Sequence, residues 1–216
     1  MSKNKDGIMG SNSGKVGTVV AYKWKGKDVL RGYTRIVKNP QTPAQQLHRA
    51  KFKAISLLAS ELLPMIKKGF RQLADKESST ETGLFVKSNW PFVEATGVDG
   101  ISIPLDKVAV SKGDLPGVAF GEAQLTDSVV SVTFTTVDRE GTSSDDYVYL
   151  GVYCPAQRMS VLSAPVKRLD KRVQTTLPAA MQGKELHLYG FAVGSDFNSL
   201  HKFEASESCY MGTLTE

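Results

Sequence analysis

The 216-residue chain is 41% hydrophobic and 23% charged, which excludes the disordered and fibrous classes and fits a globular protein. Its two cysteines are too few for a disulfide scaffold, and no apolar run reaches the length of about eighteen residues that a membrane helix needs. The polar start MSKNKDGIMGSNSG lacks the apolar segment of a signal peptide. We therefore expect a protein that stays in the cytoplasm of its producer, or is assembled there into something larger, with no membrane partner.

The net charge of +5 is divided unevenly along the chain. Residues 1–80 contain 16 Lys and Arg against 5 Asp and Glu, a formal charge of +11, whereas residues 81–216 contain 11 against 17, a charge of −6. Such an asymmetry indicates a polyanionic partner or a docking face. It would also let two copies attract each other head to tail.

The first predicted elements are a flexible arm over residues 1–13 and a basic β-hairpin. Residues 16–22 alternate as a strand whose two faces are both largely apolar. The run Trp24-Lys25-Gly26-Lys27 predicts a turn, because Gly26 can take positive φ, and residues 28–35 form the return strand. Residues 36–41 should be extended, since Pro40 removes a backbone donor and disfavours the α region before it.

A helix start follows at Thr42-Pro43-Ala44-Gln45, which has an N-cap Thr, Pro at the first helical position and Gln at the third. The helical pattern continues to about residue 60, and Pro64 interrupts it. Further helical pieces are predicted over residues 65–73 and 81–93. We therefore predict a basic β-hairpin and helical domain over residues 14–97.

Beyond the turn at residues 97–100 the apolar pattern has a period of two. Short strands are predicted over residues 108–110, 129–135, 147–153, 159–162, 167–176, 185–193 and 206–214. This spacing is typical of an antiparallel β-sandwich of immunoglobulin or fibronectin-III type, here over residues 105–216. The predicted fold class is therefore α+β, an N-terminal β-hairpin plus helices followed by that sandwich.

No group of residues has the spacing of a catalytic or metal site. His48, His187 and His201 are scattered, and neither cysteine has a local histidine partner. We expect Cys154 and Cys209 to be buried thiols on strands, with a bridge between them left open. The sequence thus predicts no metal, no cofactor and no enzymatic activity.

The basic hairpin is the remaining candidate site. Lys and Arg alternate there with aromatic residues, which favours a surface for single-stranded nucleic acid. The pattern also fits a solvated edge whose lysines prevent aggregation, or a hairpin that inserts into a neighbouring subunit's sheet. The predicted residues for binding a partner or nucleic acid are Lys23, Trp24, Lys25, Lys27, Arg31, Tyr33, Arg35 and Arg49.

The run GTVVAYKWKGKDVLRGYTRIVKNPQTPAQQLHRAKF resembles the opening of an uncharacterised family, a domain of unknown function from Bacteroidetes bacteria and their phages. The later pieces VSKGDLPG and the closing Y-x-G-T fit as well, so the resemblance covers nearly the whole chain. The family carries no assigned activity and implies no site residues. The N-P-x-T-x-A-Q element also occurs near the start of small phage proteins, which implies a virion or assembly role by analogy.

Two hypotheses of function follow. The first is a non-enzymatic structural or interaction protein, a phage-type virion or assembly component that docks on a protein partner or a second copy through its basic N-terminal half. The alternative is a nucleic-acid-binding protein that uses the basic aromatic hairpin. A third hypothesis, an enzyme with a site between the two halves, has no catalytic cluster to support it.

Overall fold

The computed structural model describes residues 3–4, 12–36, 39–136, 142–195 and 204–215. The chain divides into two compact units, an N-terminal unit (Met1–Thr42) and a C-terminal unit (Pro43–Glu216). The predicted domains placed the helices with the hairpin. The structure groups them with the strands that follow, because helices and strands share one apolar core.

The N-terminal unit is an antiparallel sheet of consecutive strands. They are β1 (Lys3–Asn4), β2 (Asn12–Val16), β3 (Val19–Trp24) and β4 (Lys27–Gly32), each paired with the next. The predicted turn at Lys25-Gly26 is confirmed, and the return strand predicted over residues 28–35 is confirmed as far as Gly32. The single predicted strand over residues 16–22 is wrong, because a two-residue turn at Gly17-Thr18 divides it.

Two expectations for this unit fall partly outside the described residues. The arm predicted over residues 1–13 includes residues 1–2 and 5–11, which lie outside the described ranges. Lys3 and Asn4 form β1, and Asn12 and Ser13 belong to β2 and pair with it. Residues 37–38 of the extended connector also lie outside the described ranges. At the end of that connector Gln41 is left-handed, with φ of 53°, rather than extended.

The C-terminal unit begins with helices, as predicted. They are α1 (Pro43–Glu61), α2 (Leu63–Gly69), α3 (Arg71–Lys76) and α4 (Glu81–Asn89). The predicted start at Thr42-Pro43 is confirmed, and α2 carries Pro64 in its first turn, where a missing N–H is harmless. The Thr80 hydroxyl caps α4 by accepting from the Gly83 amide at 3.1 Å.

The strands of the C-terminal unit form antiparallel sheets. Their bounds are β5 (Glu94–Ala95), β6 (Ile101–Ser102), β7 (Ala119–Thr126), β8 (Val129–Thr135), β9 (Tyr147–Cys154), β10 (Met159–Leu162), β11 (Val166–Lys167), β12 (Arg172–Thr176), β13 (Leu186–Val193) and β14 (Cys209–Leu214). The large sheet has the order β10-β9-β13-β14, with β11 also on β9, and the small sheet has the order β12-β8-β7. A short β5–β6 hairpin stands apart from both. The mixed α and antiparallel β class is confirmed.

The strand predictions differ from the structure at several places. Strand β7 was missed because its burial alternates weakly along an exposed edge. The strand predicted over residues 167–176 is interrupted by a 3₁₀ turn at Arg168–Asp170. Residues 108–110 form no strand: the buried Asn89 amide donates to the Ala109 carbonyl at 2.9 Å and accepts from its N–H at 2.8 Å, in place of a neighbouring strand.

Strands β9 and β13 are buried on both faces, which sets the layers of this unit. The side of these two strands that carries Leu150 and Leu188 packs on the small sheet. The opposite side carries Tyr149 and Phe191, whose stacked rings have centroids 5.5 Å apart, and packs in the core that the helices share. The period of two predicted for the strand at residues 185–193 is confirmed by this arrangement.

Candidate interaction surface

Two tight turns shape the N-terminal sheet. Lys25 and Gly26, between β3 and β4, have φ of 44° and 79°, the two positive values of a type I′ turn. Gly17, between β2 and β3, has φ of 58°, as the first central residue of a type II′ turn requires. Both turn types match the twist of paired strands, so three strands lie in fixed register.

That register separates the side chains into two faces, since residues directly opposite each other point the same way. The pairs Val16–Val19 and Ala21–Leu30 define one side, and Trp24–Lys27 and Val20–Arg31 define the other. We call the first side the aliphatic face, which presents Val16, Val19, Ala21, Lys23, Asp28 and Leu30. We call the second side the aromatic face, which presents Lys15, Val20, Tyr22, Trp24, Lys27, Val29, Arg31 and Tyr33.

The aliphatic face exposes apolar side chains. Val16, Val19 and Leu30 are 54%, 38% and 68% exposed, while Ala21 between them is buried. Lys23 lies directly opposite Asp28 on the same face, so the charges of this face balance. The result is an apolar surface with no net formal charge.

The aromatic face combines rings with cations. Tyr22, Trp24 and Tyr33 are each between 41% and 45% exposed. The Lys15 Nζ lies 3.6 Å from the centroid of the Tyr33 ring, a cation–π contact that links β2 to the end of β4. In the described part of the N-terminal unit the one carboxylate is that of Asp28, which is on the other face.

The structure brings together some of the predicted site residues and separates others. Trp24, Lys27, Arg31 and Tyr33 lie together on the aromatic face, whereas Lys23 lies on the aliphatic face. The separation follows from the period of two, because Lys23 and Trp24 are adjacent along β3 and therefore point to opposite faces.

The remaining predicted residues lie outside both faces. Lys25 is in the turn, and Arg35 follows the end of β4 in a bend. Arg49 lies on α1, in the C-terminal unit. There it lines a groove of about 530 Å³ with Lys53 and an apolar floor that includes Leu57 and Val98.

Sequence reasoning missed Lys15 and left Tyr22 out of the site. The alternation of Tyr22 with Trp24 along one strand was a usable signal for Tyr22. Lys15 was hidden because its place beside Val20 depends on the Gly17-Thr18 turn, which the apolar run through residues 16–22 obscures.

A buried ion pair lies in the C-terminal unit. Arg168 Nε is 3.2 Å from Asp146 Oδ2, an ion-pair distance, although its N–H is not aligned for a hydrogen bond. The Asp146 carboxylate also accepts from the Ser143 and Ser195 amides, and Arg168 donates to the Pro116 carbonyl. Burial lowers the pKa of Arg168. These contacts hold both charged groups inside the C-terminal unit, so we assign the pair to the fold.

A second polar cluster joins the end of α1 to the large sheet. The Glu61 carboxylate accepts from the Tyr153 hydroxyl and from Arg158 Nε, the latter at 2.6 Å. The backbone carbonyl of Glu61 accepts from the Ser160 hydroxyl. Burial, followed by the hydrogen bond to Glu61, raises the pKa of Tyr153. The cluster fixes α1 to β9 and β10 and presents no unused catalytic group.

Among the residues that the structure describes, no three His, Cys, Asp or Glu side chains are grouped to hold a metal ion. The helices in those ranges are all too short or too polar to cross a bilayer. Cys154 and Cys209 are both free thiols on strands. The expectation of burial holds for Cys154 and is wrong for Cys209, which is exposed.

Comparison with known proteins gives a family without an activity. No curated protein matches the chain. The family of unknown function DUF6266 matches residues 11–212, which include the N-terminal sheet from β2 onwards and the C-terminal unit almost to its end. This confirms the resemblance to an uncharacterised family. The chain belongs to DUF6266.

Proposed function

We propose that the protein is a non-enzymatic structural or interaction protein that docks through its N-terminal sheet onto a second copy of the chain. The observation that carries the proposal is the exposure of Val16, Val19 and Leu30 on one face that has no net formal charge. Exposed apolar patches on a protein surface mark interaction sites.

The charge of the aliphatic face favours a second copy over a charged partner. Residues 1–42 contain nine Lys and Arg against two Asp, a formal charge of +7, which opposes close approach of two such units. On the aliphatic face, however, Lys23 is balanced by Asp28, so two copies can meet there without repulsion. A two-fold contact would place the same side chains on both sides.

The energy of such a contact predicts a concentration-dependent assembly. Fully burying an exposed Val or Leu stabilises by about 1.5–3 kcal/mol. A dimer would bury Val16, Val19 and Leu30 from each copy, and because these six side chains are only partly exposed they would contribute on the order of 5–10 kcal/mol. Association costs about 4–15 kcal/mol. The two terms are of similar size, so we expect dimers at high protein concentration or where a larger assembly raises the local concentration.

We further infer that the C-terminal unit supplies a fibronectin-III-like sandwich as the scaffold. We count the strands from β7 and leave out the two-residue β11. The first, second and fifth strands, β7, β8 and β12, then form one sheet, and the third, sixth and seventh, β9, β13 and β14, belong to the other. Immunoglobulin-type sandwiches distribute their strands in this way. The fourth strand, β10, pairs with the third, which favours the fibronectin-III variant over the immunoglobulin constant type.

An assembly role also sets where we expect the protein to act. We propose the cytoplasm of the producing cell, or a virion if the gene is phage-encoded, on the basis of the motif resemblance. Detection of the chain in purified phage particles would support the second location.

The test is the mass in solution of three proteins, measured by size-exclusion chromatography with light scattering over a range of concentrations. The wild-type chain should reach at least twice its 23.5 kDa mass at high concentration. Leu30→Lys should remain monomeric, since it places a charge on the aliphatic face at its most exposed apolar side chain. Leu169→Lys is the matched control, because Leu169 is 69% exposed against 68% for Leu30, and should behave as wild type.

Two results would overturn this proposal. One is a wild-type chain that stays monomeric at the highest concentration without a co-purifying partner. The other is a dimer that survives Leu30→Lys while circular dichroism shows both variants folded, since the contact would then lie elsewhere.

A further inference from the structure

We propose that the aromatic face binds single-stranded nucleic acid, with Tyr22 and Trp24 stacking bases and Lys15, Lys27 and Arg31 contacting phosphates. This function uses the side of the sheet opposite to the aliphatic face. It therefore does not depend on the proposed self-association, and each can fail alone.

The rings provide the first argument. Tyr22 and Trp24 alternate on β3, which places them about 7 Å apart along one strand of the face. Both are more than two-fifths exposed, although aromatic side chains of this size contribute most when buried. An open sheet that presents aromatic rings is the platform on which several nucleic-acid-binding folds stack bases.

The cations provide the second argument. Lys27 lies directly across from Trp24, and the row Lys15–Val20–Arg31 crosses three strands on the other side of Tyr22. Positive groups therefore flank the rings at both ends. The Lys15 ammonium is already held over the Tyr33 ring, which fixes a positive charge at that end of the face.

Among the described residues of the N-terminal unit no carboxylate lies on this face, which favours a polyanion. Asp28, the one carboxylate in the described part of the N-terminal unit, faces away. A polyanion that also carries flat π-surfaces satisfies both the cations and the rings, whereas an acidic peptide satisfies only the cations.

The spacing of the rings favours single strands over duplexes. Bases in a duplex are stacked about 3.4 Å apart and their faces are inaccessible. Rings about 7 Å apart along a strand match bases that have been separated, as in an extended single strand.

The test is fluorescence anisotropy with labelled DNA and RNA oligonucleotides of roughly 20 nucleotides, as single strands and as duplexes. Protein is kept below the concentration at which the chain self-associates. The wild-type chain should bind both single strands more tightly than duplexes at about 50 mM salt. With up to three phosphate contacts, affinity should fall about 20-fold between 50 and 200 mM salt.

Two variants of the same charge change separate the faces. Arg31→Glu on the aromatic face should weaken single-strand binding about 10-fold or more, since it removes a phosphate contact and adds repulsion. Lys23→Glu changes the net charge equally on the opposite face and should stay within about 3-fold of wild type.

A second pair of variants tests stacking and guards against misfolding. Trp24→Leu should weaken binding about 5-fold or more, because leucine is apolar but offers no ring. Trp24→Phe keeps a ring at the same position and should retain most of the affinity. A loss in both variants together with a changed circular dichroism spectrum would direct the test to Tyr22→Leu against Tyr22→Phe.

Several results would overturn the inference. These are no binding at about 50 mM salt, equal losses for Lys23→Glu and Arg31→Glu, or tighter binding to duplex than to single strands. Equal competition by poly-glutamate would instead assign the face to an acidic protein. If the chain failed to self-associate but still bound single-stranded oligonucleotides as described, the proposed docking role would be removed and this inference would stand.

Discussion

Arg168→Met should destabilise the C-terminal unit by about 3–5 kcal/mol, because it leaves a buried carboxylate without its counter-charge. Arg168 and Asp146 are only 2% and 0% exposed, and their charged groups lie 3.2 Å apart. The methionine would also leave the Pro116 carbonyl without its donor. For a unit of this size each kcal/mol lowers the melting temperature by about 2–4 °C, so we expect a decrease of about 6–20 °C.

The neighbouring ion pair supplies a matched control. Lys167 Nζ lies 2.7 Å from Asp145 Oδ1, a shorter distance than in the buried pair, but both side chains are about half exposed. Water and salt screen such a pair, so Lys167→Met should cause no measurable loss. The comparison separates burial from distance as the source of the effect.

The assay is thermal and urea unfolding of the two single variants and of Asp146→Asn combined with Arg168→Met. The asparagine keeps an oxygen that can accept from the Ser143 or Ser195 amide while removing the unpaired charge. The double variant should therefore recover much of the stability that Arg168→Met loses. Equal decreases for Lys167→Met and Arg168→Met, or a double variant no more stable than Arg168→Met, would refute the reasoning.

Two further predictions concern pH and packing. Burial lowers the pKa of His187, so the unfolded chain takes up the proton first as pH falls. The stability present above pH ~6.5 therefore decreases below that pH. His187→Gln should flatten the pH dependence of the unfolding free energy between about pH 7.5 and 5.5, and an equally steep profile would contradict this. Gly69→Ala should cost about 1–3 kcal/mol by urea unfolding, because the new Cβ would lie 2.4 Å from the Val110 carbonyl oxygen. Gly97→Ala is its control, since a Cβ there meets nothing within 4 Å, and similar losses in both variants would argue against the clash.

Local signals in the sequence were enough to predict several elements. The turn at Gly26 needs only a residue that accepts positive φ, and the helix at Pro43 needs only its own first turn. Strands β8, β9 and β13 follow from alternation within each strand. These features depend on residues close to one another along the chain, so the sequence alone determined them.

The grouping of elements and the composition of the candidate surface depended on the tertiary structure. Asn89 replaces a strand partner for Ala109, twenty residues away, and the helices share their core with β9 and β13 rather than forming a domain with the hairpin. Lys15 and Arg31 meet on one face only because Val20 lies between them in register, whereas Lys23 points to the other side. Pairing between strands fixes which charges lie together, and no periodicity within a single strand contains that information.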